Sequence, residues 1–281
     1  MKLYGGIDLH SNNMVVRVID ENDRTLYQKK LPCELDIILR ELKPHQTMME
    51  GVAIESTFNW YWLVDGLEEQ NYIIHLVNTA AVKQYEGLKH TDDESDAFWL
   101  AHLLRLGILL MGYIYPKKQR AVRDLARKRS QLVQQRTTQI LSLQNLYIRN
   151  TGESLSCNAV NKLTISEIEN RITDTNIILA MESNLIIYEA LKKQIRELED
   201  AINKQIKLDP RFQCLMTVDG IGKILALTIM LETGDVSRFK NVGNFSSYCR
   251  CVDSHCCPTN KNQRGLNLQE LLQCECEQTL Y

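Results

Sequence analysis

The sequence lacks any apolar run long enough to cross a bilayer, and its first nine residues lack the extended apolar core of a secretory signal. A membrane partner is therefore not expected, and the cytoplasm is the expected compartment. An excess of charge is missing too: 33 Lys and Arg against 35 Asp and Glu give a formal net charge of −2. That balance says nothing for or against nucleic acid, because an acidic ion site and a basic groove cancel in a sum. The nine cysteines lack the spread of a disulfide scaffold. Cys33, Cys157 and Cys214 are scattered, and the other six crowd between Cys249 and Cys276. Those six, with His255, lack the two-residue gaps of zinc knuckles and ribbons, so no zinc site is expected there. What is present is a chain of 281 residues, 44% hydrophobic, enough for one large domain or two to three small ones.

Alternation of β-branched residues predicts strands over residues 3–8 and 14–20, joined by the polar turn Ser11-Asn12-Asn13, and a third over 25–31. An amphipathic helix follows over 34–42, with Leu35, Ile38, Leu39 and Leu42 on one face and Pro44 to stop it. Next come a buried strand over 47–54, an aromatic-rich helix over 57–69, a strand over 72–77 and a helix over 93–106. This is the element order of a ribonuclease-H-like α/β domain, expected over residues 1–115.

From Pro116 the pattern turns helical, and a helical or coiled-coil region is expected over 116–207. Ile177, Met181, Asn184, Tyr188, Leu191, Ile195, Leu198 and Ile202 alternate spacings of four and three, forming one seam. Two occupants of that seam fit: the chain's own helix from Pro116 to Tyr147, or a second copy in a homo-oligomer. A small helical domain is expected over 208–252, and residues 253–281 form an atypical Cys-rich tail.

Four acids fall where chemistry would need them. Asp8 ends the first strand, Glu55 ends a later one, and Asp93 and Asp96 sit three residues apart on one face of a helix. Taken singly each has a plainer role: a turn former after a strand, a residue before a helix cap, or an acid favouring a helix N-terminus. Together they suit a site for Mg²⁺ (or Mn²⁺), which takes oxygen ligands and keeps open positions for water and phosphate. Two such ions stabilise both the attacking and the leaving oxygen of a phosphodiester displacement. Downstream, Lys117, Lys118, Arg120, Arg123, Arg127 and Lys128 crowd one stretch of helix, with Arg120, Arg123 and Arg127 on a shared face. They are expected to bind nucleic-acid phosphates. Gly220-Ile221-Gly222-Lys223 before an apolar helix reads as a turn that lets backbone N–H groups approach a phosphate, in the manner of a helix-hairpin-helix; the plainer reading is a tight turn into a core helix.

Gly6-Ile7-Asp8-Leu9-His10-Ser11, Ala53-Ile54-Glu55-Ser56-Thr57 and Lys89-His90-Thr91-Asp92-Asp93-Glu94-Ser95-Asp96-Ala97 resemble the DEDD-type bacterial insertion-sequence transposases, whose catalytic domain is similar to the resolvase RuvC. The resemblance runs on through the basic helix and Val218-Asp219-Gly220-Ile221-Gly222, so it spans about residues 1–252. It implies that Asp8, Glu55, Asp93 and Asp96 are catalytic metal ligands, that a C-terminal serine forms a covalent link to DNA, and that DNA and a structured guide RNA are partners. Ser254 is the serine offered for that role. Beyond it the chain departs from the family's glycine- and lysine-rich stretch, so a truncated or frameshifted C-terminus is expected. The alternative function is then an inactive transposase that binds nucleic acid without recombining it. An actin-like ATPase or sugar kinase also carries Gly-Ile-Asp on its first hairpin, but the second Asp-x-Gly loop it requires is missing.

Overall fold

A computed structural model describes residues 1–78, 93–205 and 210–249, and only the backbone of 93 and 94. Two compact units divide between Ile114 and Tyr115: Met1–Ile114 with the segment that begins at Phe239, and Tyr115–Arg238.

The first unit is built on a five-stranded sheet whose strands lie in the order Thr25–Pro32, Asn13–Asp20, Leu3–Leu9, Met49–Glu55 and Ile74–Val77. Strands β1 (Leu3–Leu9), β2 (Asn13–Asp20) and β3 (Thr25–Pro32) form an antiparallel meander. Its second turn holds Asp23 at φ 64, a left-handed conformation that Asp tolerates better than most side chains, while Asp20 Oδ1 accepts from the Asn22 and Arg24 amides. Strands β4 (Met49–Glu55) and β5 (Ile74–Val77) add in parallel beside β1. Helices α1 (Leu35–Leu42) and α2 (Tyr61–Glu69) are the crossover elements that parallel pairing demands. After α1 the chain tightens into a 3-10 turn over Lys43–Met48 with Pro44 at its start, so β4 begins two residues later than its sequence suggests. Likewise α2 begins at Tyr61 rather than Thr57, because the Thr57 hydroxyl donates to Asn59 Oδ1 at 2.8 Å and holds a turn there.

Strand alternation sorts the two faces of the sheet. Leu3, Ile7, Leu9, Val16, Val18, Val52 and Ile54 share a core with Ile38, Leu42, Leu63, Val64 and Leu67 of α1 and α2. On the opposite face Ala53 and Val77 pack with Leu100 and Leu103 of α3 (Asp93–Arg105). The result is a helix, sheet, helix sandwich with a helical region downstream, which fits the ribonuclease-H-like expectation.

The second unit is helical. Helix α4 (Lys117–Thr151) ends at Gly152, whose φ of 74 suits a left-handed cap. Two short helices, α5 (Cys157–Val160) and α6 (Ile165–Glu169), the latter with a Thr164–Glu167 capping box, lead into α7 (Thr175–Gln205). Asn184 Nδ2 donates to Ser142 Oγ at 3.0 Å and Arg129 bonds Glu199 at 2.6 Å, so α4 and α7 run antiparallel. Met181, Tyr188, Ile195 and Ile202, spaced by seven, are buried in this hairpin. The seam is filled by the chain's own helix. Helices α8 (Pro210–Met216) and α9 (Lys223–Thr233) share a core with the start of α4 and the end of α7 through Ala126, Ile202, Phe212, Ala226, Leu227 and Leu231. The compact units therefore do not divide at the expected 207/208 boundary: the apolar face of α9 is covered by Ala126 and its neighbours on α4. The segment from Phe239, which groups with the first unit, carries α10 (Val242–Tyr248) after an Asn241 cap, with Phe239 packed on Phe245 and Tyr248.

Candidate active site

Parallel pairing sets Gly6 beside Ala53 and Ile7 beside Ile54, so Asp8 comes level with Glu55 where the two strands end. Both acids share the parity of Gly6 and Ala53 and project to the face that α3 covers. Helix α3 lies unusually close to β1. A Cβ built on Gly6 would stand 2.0 Å from the Ala97 carbonyl oxygen and 2.8 Å from the Ala101 amide nitrogen, so backbone occupies the space a side chain would take. Asp96 precedes the residue that makes this contact. The structure thus brings Asp8, Glu55 and the Asp96 turn of α3 to one end of one face of the sheet. Asp93 opens the same helix; its side chain lies outside the described residues.

Asp8 is 2% exposed, and Oδ2 of Asp8 and Oδ1 of Asp96 are both shielded from water. A buried carboxylate charge is costly unless paired. His10, two residues along and on the same face, holds Nε2 3.2 Å from Asp8 Oδ2. Sequence reading gave His10 no role, although two-residue spacing at a strand end is the signal that puts it beside Asp8. Among the described residues no group of three His, Cys, Asp or Glu side chains forms a ready-made metal cluster. The described donors, carboxylate oxygens of which one on Asp8 is buried against the His10 imidazole, are of the kind that Mg²⁺ or Mn²⁺ takes, and an ion would neutralise charge that burial penalises.

The far end of α3 is tied down separately. Arg105 donates to both oxygens of Asp23 at 2.6 and 2.7 Å, and His102 Nδ1 lies 2.8 Å from Asp23 Oδ1. Partial burial pushes the Asp23 carboxyl up, but the His102 and Arg105 hydrogen bonds and charges outweigh it and hold it below the ordinary value. Arg17 of β2 lies over the Phe98 ring of α3, its guanidinium carbon 4.8 Å from the centroid.

The arginine stripe is a correction. Arg120 and Arg123 are buried, not solvent-facing. Arg120 Nε donates to the Tyr115 carbonyl at 2.6 Å, and Arg123 lies 3.7 Å over the Tyr115 ring. Arg123 and Arg127 together grip Glu232, with Arg127 contributing bonds of 2.6 and 2.8 Å. Burial raises the Glu232 carboxyl, but the Arg127 hydrogen bonds and the two guanidinium charges prevail and hold it below its ordinary value. Here these arginines join α4 to α9 within the second unit. Lys117, Lys118 and Lys128 remain exposed on α4.

Gly220, at φ 86, turns the chain between α8 and α9, and Gly222 caps α9 with Lys223 as its first residue. Both glycines and Lys223 are exposed. Ser254 and the Cys-rich tail lie outside the described residues.

A family model for DEDD transposases of the IS110 type matches residues 5–147, and a second, for transposases of the IS116/IS110/IS902 family, matches residues 212–255. A Pseudomonas aeruginosa protein described as a "Probable family 20 transposase" is 25% identical over 259 residues, covering 88% of this chain and 73% of that protein.

Proposed function

Because the chain belongs to the DEDD transposase family of IS110-type insertion sequences, we propose that it cuts and joins DNA at a divalent-metal site held by Asp8, Glu55, Asp93 and Asp96. The observation that carries this reading is the parallel register that levels Asp8 with Glu55 beneath a helix admitted by Gly6. Bound there, Mg²⁺ or Mn²⁺ would supply Lewis-acid polarisation of a phosphate oxygen. Burial of Asp8 beneath α3 keeps bulk water from competing for that carboxylate. Lys117, Lys118 and Lys128 are proposed to hold the nucleic-acid backbone, and Gly220, Gly222 and Lys223 to offer amides and one ammonium at the N-terminus of α9 to a phosphate, as in a helix-hairpin-helix. Ser254 is the nucleophile that the resemblance offers, and a structured guide RNA is the partner it adds to DNA. Self-association belongs to the same proposal. Because the seam of α7 is filled from within, outward residues such as Leu141, Ile148, Leu179 and Ile186 would have to serve it.

The test is a strand-cleavage assay on DNA carrying the ends of the insertion sequence that encodes this chain, with the element's own transcript added. Products that appear with Mg²⁺ or Mn²⁺, vanish with chelator and vanish in Asp8→Asn are expected. Cleavage that persists in chelator, or in Asp8→Asn, would refute the metal-site assignment.

A further inference from the structure

The imidazole of His10 stands beside the carboxylate site without a part in the four-acid scheme. We propose that His10 Nε2 is itself a ligand of the metal centre, making it a mixed oxygen and nitrogen site that prefers Mn²⁺ or another imidazole-accepting first-row ion to Mg²⁺; this rests on the carboxylate reading above.

Three observations carry it. Gly6, Asp8 and His10 share one face at the end of β1, and His10 is the outermost, with its side chain 39% exposed against 3% for Asp8. An ion arriving from solvent meets the imidazole at the mouth and the carboxylate beneath it. The separation of Asp8 Oδ2 and His10 Nε2 is 3.2 Å. Charge-assisted N–H···O bonds close to about 2.7–2.9 Å. Two donors each about 2.0–2.2 Å from one ion, at right angles across an octahedral edge, stand about 3 Å apart. The observed spacing is one that two ligands of a shared ion would take without moving apart.

The third observation is that the His10 backbone is held in place. Its amide donates to the Asn13 carbonyl at 2.9 Å, and its own carbonyl accepts from Asn59 Nδ2 at 3.0 Å and from the Cys33 thiol at 3.6 Å. Three contacts from three segments fix the pivot of the ring, the kind of support that orients metal ligands. A neutral imidazole suits first-row transition ions, whereas Mg²⁺ favours oxygen and water, so one nitrogen donor shifts the preference of the site.

The experiment is pulsed electron paramagnetic resonance of the full chain loaded with Mn²⁺, prepared with natural-abundance and with ¹⁵N-labelled histidine. A directly bonded nitrogen modulates the Mn²⁺ echo, and the modulation changes character with the isotope, without need of any variant. The expected result is histidine-nitrogen modulation that is lost in His10→Gln, with Mn²⁺ affinity down about tenfold or more and Mg²⁺ affinity changed less. Mn²⁺ that binds and is lost in Asp8→Asn, yet shows no histidine nitrogen, would overturn the role of His10 and leave the carboxylate site standing. Mn²⁺ binding indifferent to Asp8→Asn would overturn both.

Discussion

Replacing Gly6 by alanine inserts one methyl group into a space already filled by backbone. The new Cβ would lie 2.0 Å from the Ala97 carbonyl oxygen, and a main-chain atom cannot rotate aside as a side chain can. For an ordinary contact near 3.4 Å, α3 must retreat by roughly 1.4 Å, or β1 must bend by as much. Overpacking of this kind costs about 1–3 kcal/mol. The consequence for the site is larger, because Asp96 rides on the displaced turn while Asp8 stays with the strand. A misplacement of about 1 Å costs on the order of a hundredfold in rate. Gly5→Ala is the matched control: its Cβ meets only the Val52 methyls, at 3.2 and 3.3 Å, on the opposite face. Both variants are to be compared by thermal unfolding and by Mn²⁺ titration. Gly6→Ala should melt several degrees lower and bind Mn²⁺ at least tenfold more weakly, with Gly5→Ala close to the parent in metal affinity. Equal metal affinity in the two variants would refute the idea that close helix–strand packing aligns the acids.

Glu232→Gln leaves Arg123 and Arg127 without their buried counter-charge and should destabilise the chain by about 3 kcal/mol, measured by urea unfolding. Since the Glu232 carboxyl is held below its ordinary 4.5, its contribution is fully present above that pH and is lost as pH falls through the lower folded value. The gap between parent and Glu232→Gln should therefore narrow in acid below about pH 4.5, and a constant gap would contradict the assignment. Asp23→Asn keeps the left-handed turn, because Asn tolerates positive φ, but removes the charge that holds Arg105; a loss of about 1.5 kcal/mol is expected in thermal unfolding. Alanine at Lys117, Lys118 and Lys128 together should weaken DNA binding evenly across sequences. It should also flatten the plot of log affinity against log salt by about 0.9 per lost phosphate contact, and an unchanged slope would remove these lysines from the interface.

The strands and their order were legible because alternation survives in β1, β2 and β4, and acids at strand ends stand out against apolar runs. The placement of Glu55 beside Asp8 was expected from the ribonuclease-H-like element order, in which the first strand and this later strand lie side by side. Local competition blurred the element starts. Pro44 ended the α-helix as expected but opened a 3-10 turn that delayed β4, and Thr57 bonded Asn59 instead of starting α2. The inward arginines were not legible, because the group that draws them in, Glu232, lies 105 residues from Arg127. A periodic basic face looks the same whether it meets phosphate or a buried carboxylate. Gly6 was visible as part of a motif, but its reason, the backbone of α3 against β1, exists only once the two elements pack.

The most direct test of a shared ion site is to let the ion report its own position. Fe²⁺ replaces Mg²⁺ at oxygen-rich sites and, with ascorbate and peroxide, generates hydroxyl radical that cuts the polypeptide beside its ligands. Cuts mapped by mass spectrometry are expected close to Asp8, Glu55 and the start of α3 at once, to be suppressed by excess Mg²⁺, and to disappear in Asp8→Asn. Cuts confined to one of these segments, or unaffected by Asp8→Asn, would contradict the claim that acids remote in sequence hold one metal centre.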